Sequence, residues 1–138
     1  MSRDTVELLR AIPIFSQLDE EALGQVASIA SRLDVAKGSV LIERGQPGSG
    51  MFVILHGTVG VELRERTVEL GPGEFIGELS LLTDHAQRSA RVRATTDVSC
   101  LAMGRAEFAG LLEQHPKIAL PMLSELARRL LGTIEQRG

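Results

Sequence analysis

A chain of 138 residues suffices for one domain, which buries roughly two-thirds of the surface its unfolded form exposes. A hydrophobic share of 43% supports a packed core, and a net charge of −3 argues against the strongly basic surface of a nucleic-acid-binding body. The lone cysteine, Cys100, rules out an internal disulfide; with no run of about 18 apolar residues and no signal-peptide core at Met1-Ser2-Arg3-Asp4, the chain is expected in the cytoplasm, without membrane insertion.

Asp4-Thr5-Val6-Glu7 reads as an N-cap with an acid three residues on, opening a short helix that carries Leu8, Leu9 and Ile12 and ends at Pro13. After Ile14-Phe15, Asp19 caps a second helix. Glu20 and Glu21 complement its dipole, and Leu23, Val26, Ala27 and Ala30 make its apolar face. Phe15 is expected as a core anchor. From Leu33 to Ala102 the period changes: short, β-branched-rich runs at 40–42, 51–55, 58–63, 67–70, 90–94 and 98–101 alternate with glycine-rich punctuation. Evenly spaced short strands of this kind predict an antiparallel sandwich or roll. Cys100, between Val98 and Leu101, is expected as a small core residue. Arg91 and Arg93 flank Val92 on a strand and are expected to face solvent, with no ligand role.

After Ala102 the helical period returns. A short helix over 107–112 ends near His115, and Pro116 opens a long one with an apolar stripe of Met122, Leu123, Leu126, Leu130 and Ile134. Pro121 lies within that pattern and predicts a kink or break there. Pro and Gly aside, the chemistry-bearing residues are few. His56, His85 and His115 lack metal-ligand spacing, no Ser-His-acid set can be assembled, and the His-x-His cluster of a cupin-type metal site is missing. The chain is expected not to be an enzyme and to need no cofactor or metal.

The remaining signal lies in Gly73-Glu74-Phe75-Ile76-Gly77-Glu78-Leu79-Ser80-Leu81-Leu82 and in Gln87-Arg88-Ser89-Ala90. A strand runs into Gly77 and then into a one-turn helix, whose exposed N–H groups and partial positive charge suit a phosphate. Arg88 can grip a phosphodiester through paired charge-assisted hydrogen bonds. Glu78 would repel an anion, and makes sense if a hydroxyl lies close to that phosphate, as on a ribose.

These residues resemble the phosphate-binding cassette of cyclic nucleotide-binding domains, Gly-Glu-x-x-Leu, a variable loop, then Arg-Ser/Thr-Ala. Ser80 stands where the family often has Ala, and Gln87 where Pro often precedes the Arg. The resemblance covers nearly the whole chain. It implies an α+β fold: an eight-stranded antiparallel β-roll of the double-stranded β-helix or jelly-roll type (33–103, cassette 73–94), between N-terminal helices (1–32) and a long C-terminal helix (within 104–138), all one domain. It implies a non-catalytic sensor that binds a purine 3′,5′-cyclic monophosphate, cAMP before cGMP. Phosphate falls to Arg88, Ser89 and backbone N–H groups near Leu79, Ser80 and Ala90, and ribose to Glu78 behind Gly77. The segment 127–133 resembles the dimerising helix of catabolite-activator-type proteins, which gives Arg129 and Thr133 to the base; Ile134 stands where those proteins carry a second base-contacting hydroxyl. The same helix makes a homodimer an expectation, with signal relayed through it. Two other readings stand beside this one: the sensory half of a transcription regulator without its DNA-binding domain, since residues 1–138 offer no recognition helix and should not bind DNA, or a β-roll kept as a dimerisation or interaction module without nucleotide.

Overall fold

The structure, a computed structural model, describes residues 3–43, 50–82 and 90–137; for residues 3, 4, 79, 80 and 133–137 only the backbone is described. The chain divides into two compact units, residues 30–109 and residues 1–29 with 110–138.

In the helical unit, α1 (Arg3–Arg10) packs against α2 (Glu20–Ala27), and a 3₁₀ turn at Pro13–Phe15 joins them and contacts α4 (Ala119–Arg137). Leu9, Ile12, Ile14, Phe15, Leu23, Val26 and Ala27 are fully buried, so Phe15 is the anchor the sequence predicts. Asp19 caps α2 as expected, its Oδ1 accepting from the Ala22 N–H at 2.8 Å. Two helix ends depart from expectation. Asp4 lies inside α1 rather than at its cap, where an acid in the first turn still complements the dipole. Pro121 does not break the long helix. A 3₁₀ turn at Pro116–Ile118 takes up the interruption and α4 begins at Ala119, which leaves Pro121 in a first turn whose N–H groups have no helical acceptor anyway.

The second unit is the antiparallel β-roll that the sequence predicts. Its strands are β1 (Ser31–Val35), β2 (Val40–Ile42), β3 (Gly50–His56), β4 (Val59–Glu62), β5 (Thr67–Leu70), β6 (Phe75–Ile76), β7 (Arg91–Ala94) and β8 (Val98–Gly104), followed by α3 (Arg105–Gln114). They form two sheets, ordered β1-β8-β3-β6 and β2-β7-β4-β5. Each strand turns alternate side chains inward. Ile54, Val98 and Cys100 from one sheet thereby meet Ile42, Val59, Val92 and Ala94 from the other in one core, with Val35, Phe52 and Ile76 packed around it. Cys100 is fully buried, and burial pushes its thiol pKa up, which makes it a packing residue rather than a nucleophile.

Three turns meet at one end of the roll. Gly57 takes φ +86°, and the Thr58 N–H then donates to Thr96 Oγ1 at 3.0 Å while the two hydroxyls of Thr58 and Thr95 lie 2.6 Å apart. Asp97 Oδ1 accepts from the Lys37 N–H at 2.9 Å, so the β1–β2 turn is held by the β7–β8 turn. On the second sheet Arg91 and Arg93 are not simply solvated, as the sequence suggests. Arg91 Nε donates to Glu43 Oε1 at 2.8 Å and Arg93 Nε to Glu62 Oε2 at 3.2 Å, a cross-strand charge ladder over β2, β7 and β4.

Candidate functional site

The site is assembled from the strand that precedes it. Gly71 and Glu74 close a turn: the Glu74 N–H donates to the Gly71 carbonyl at 3.1 Å, and Glu74 Oε1 accepts from the Gly71 N–H at 2.8 Å. The Ile54 N–H donates to the Glu74 carbonyl at 2.9 Å and the Gly73 N–H to the Ile54 carbonyl at 2.8 Å, which fastens the turn to β3. β6 then pairs with β3 through Phe52↔Ile76 and Val53↔Phe75. The route of the backbone from Gly71 to Ile76 is thus fixed by an interior strand of its sheet.

Gly77 follows with φ +81°, a left-handed conformation that side chains with a Cβ adopt only under strain. This reversal carries the chain out of β6 and into a 3₁₀ turn, Glu78–Leu81, which packs beside β3 and buries Leu81. Glu78 therefore opens the turn the sequence predicts, half-buried, with its Oε2 shut off from solvent. Leu79 and Ser80 supply the next two backbone N–H groups of that turn; their side chains lie outside the described residues. Ala90 is buried directly before β7. Its smallness suits that place, since any longer side chain would need room in the roll.

Arg88 and Ser89, the expected guanidinium and hydroxyl of the cassette, lie outside the described residues. Arg129 lies on α4, half-buried, with its Nη1 closed to solvent; Thr133 lies on the same helix one turn on, with its side chain outside the described residues. The structure thus gathers Gly77, Glu78, Leu79 and Ser80 on a single turn of the roll, and carries Arg129 and Thr133 on a single helix of the other unit. Among the described residues no cluster of His, Cys, Asp and Glu is built to hold a metal ion. None of the described helices is long and apolar enough to cross a membrane.

The sequence reading passes over Glu125. It is a helical glutamate only 2% exposed, and Arg128, one turn on, grips it with Nη2–Oε1 and Nε–Oε2 distances of 2.5 and 3.0 Å. The i, i+3 spacing of an acid before an arginine is the signal that could have found it. The hydrogen bonds from Arg128 hold the Glu125 carboxyl below the usual carboxylate range. A depressed folded-state pKa adds stability above the unfolded carboxylate value near 4.3, and that stability is lost as pH falls through the lower value. Arg128→Ala is therefore expected to lower the melting temperature clearly at pH 7, with the gap to the parent closing toward about pH 3. A gap that stayed constant in a pH series of thermal melts would show that the carboxylate is not what the arginine stabilises.

A family model described as "Cyclic nucleotide-binding domain" matches residues 32–115. The chain is 36% identical over 132 residues to a cyclic nucleotide-gated potassium channel of Mesorhizobium japonicum, covering 96% of this chain and 35% of the channel. It is 32% identical over 128 residues to the cyclic AMP receptor protein of Thermus thermophilus, covering 88% of this chain and 59% of the receptor. Among solved structures, the N-terminal domain of a transcriptional regulator from Streptomyces coelicolor superposes with a TM-score of 0.83 at 35% identity, over 91% of this chain and 94% of that one. The chain thus spans between about a third and three-fifths of the two full-length relatives. With the match running from β1 through α3 and the glycine-led turn at its centre, this chain belongs to the cyclic nucleotide-binding domain family.

Proposed function

We propose that this chain is a non-catalytic sensor module whose ligand is a purine 3′,5′-cyclic monophosphate, cAMP before cGMP. The observation that carries the reading is the Gly77–Glu78 turn: a positive-φ glycine sets a half-buried glutamate at the head of a 3₁₀ turn. A carboxylate so placed can accept hydrogen bonds from a ribose hydroxyl, while the turn's N–H groups face an anion. In this reading Arg88 and Ser89, with the N–H groups near Leu79, Ser80 and Ala90, take the phosphate. Arg129 and Thr133 take the base, and α4 relays the signal, since a ligand shifts a conformation only through its unequal affinity for two states.

The names of the relatives support the ligand class: one is a channel gated by cyclic nucleotides and one a receptor of cyclic AMP. Calorimetry with cAMP, cGMP and 5′-AMP tests it. Saturable heat with the cyclic nucleotides and none with 5′-AMP is expected, because only the closed ring presents phosphate and 2′-hydroxyl at one fixed spacing. Equal binding of 5′-AMP, or no heat with any of them, would overturn it.

A second reading draws on α4. Leu120, Leu123, Leu130 and Leu131 are all more than half exposed. Leu120, Leu123, Ala127 and Leu130 follow the 3-4-3 spacing of a coiled-coil seam. A second copy of this helix is the natural cover, which makes the module a homodimer. The same seam serves a sensor and a plain dimerisation module alike, and the calorimetry decides between them.

A further inference from the structure

We propose that the open edge of β1 pairs antiparallel with β1 of a second copy of this chain, about a two-fold axis through Leu33. β1 closes one side of its sheet. It pairs with β8 from Ser31↔Ala102 to Val35↔Val98 without a register shift, and among the described residues no strand lies on its other side. Ser31, Arg32, Leu33 and Asp34 are exposed, and Leu33 keeps 41% of its surface in water at mid-strand. An edge with unused N–H and C=O groups is a template for another strand.

What selects a second copy as the occupant is the sequence of the strand itself. Turned antiparallel about Leu33, Ser31-Arg32-Leu33-Asp34-Val35 is its own complement in charge. Arg32 of each copy meets Asp34 of the other, and the two Leu33 side chains meet at the axis. Arg32 and Asp34 share a face, where Arg32 Nε lies 3.4 Å from Asp34 Oδ1 and Ser99 Oγ donates to Asp34 Oδ1 at 2.6 Å and accepts from Arg32 Nη2 at 3.1 Å; in the pair each copy would share this exposed ion pair with the other. Leu33 points to the other face, that of Val35, which packs against the core of the roll, so covering Leu33 in the pair would extend that core. The other edges lack this property. β6 has two residues, β2 has a register shift between Val40 and Ile42, and β5, turned about its own charged residue, would oppose Glu69 to Glu69.

The test uses the full chain with Cys100→Ala, since Cys100 stands in register with Leu33. In that background Leu33→Cys is expected to form a covalent dimer under mild oxidation, because opposed Cβ atoms near a two-fold approach within disulfide reach. Leu63→Cys, equally exposed but off this edge, serves as the collision control. Adding Arg32→Asp is expected to weaken pairing about tenfold, and the reversal Arg32→Asp with Asp34→Arg to restore it. Cross-linking no faster than the Leu63→Cys control, or insensitive to Arg32→Asp, or not restored by the reversal, would overturn the proposal.

Discussion

Arg88→Ala is expected to weaken cAMP binding by about a hundredfold, or about 3 kcal/mol, in the range found when one partner of a desolvated charged pair is removed. The loss is expected to be large because the cyclic phosphate would keep its charge once the guanidinium proposed to pair with it is gone. Nearness in sequence is no substitute for the right contact, and Arg91 is the control for that. It stands three residues on, but its Nε is committed to Glu43 Oε1 at 2.8 Å and its Nη1 faces Glu62 Oε1 at 3.9 Å. Arg91→Ala is expected to leave the affinity unchanged. Titration calorimetry on both variants reads the difference, and an Arg88→Ala protein that binds as tightly as the parent would remove the phosphate role from that residue.

Gly57→Ala is expected to destabilise the protein by about 3 kcal/mol, from two sources of which the second is the larger. The first is conformational: φ is +86° there, and an L side chain in that region is strained. The second is a collision, since a Cβ at Gly57 would run into the backbone carbonyl oxygen of Asp97 and crowd Thr96 Oγ1 at 2.8 Å. Neither neighbour can retreat cheaply. Thr96 Oγ1 accepts from the Thr58 N–H, and Asp97 holds the Lys37 N–H. Gly38→Ala separates the two sources, because its φ is +90° with open space around it, so it should lose only about 1 kcal/mol. Urea unfolding of both variants measures the pair, and equal losses would show that the crowding at Gly57 contributes nothing.

How far the sequence could be read follows from the range of the interactions concerned. Asp19 is legible because a cap acts over three residues, and Gly77 because a left-handed turn is a local demand on one. The alternation at 90–94 and 98–101 shows which side chains turn inward, and with it the fate of Val92, Ala94, Val98 and Cys100. What local pattern does not carry is partnership. That Arg91 meets Glu43 and Arg93 meets Glu62 depends on how β2, β7 and β4 are brought side by side from distant parts of the chain. Glu125 was missed because a glutamate reads as solvated until the packing around it is known. Pro121 misled because its effect depends on where the helix starts, and a shift of a few residues turns an interior breaker into a harmless first-turn residue. Of the residues the motif names, Gly77 and Glu78 lie on a described turn of the roll, while Arg88 and Ser89 rest on the motif alone.

The pairing of β1 with β8 has a bearing on how the protein is made. Ser31 leaves the ribosome long before Ala102, the residue it is matched to. At about 5–20 residues per second the first strand waits several seconds for its neighbour. During that interval it cannot be sheltered by its final ladder, and a strand of five consecutive apolar residues would invite nascent chains to clump. Arg32 and Asp34 break up that run, so the newborn strand stays tolerably wettable until the last segment of the roll arrives.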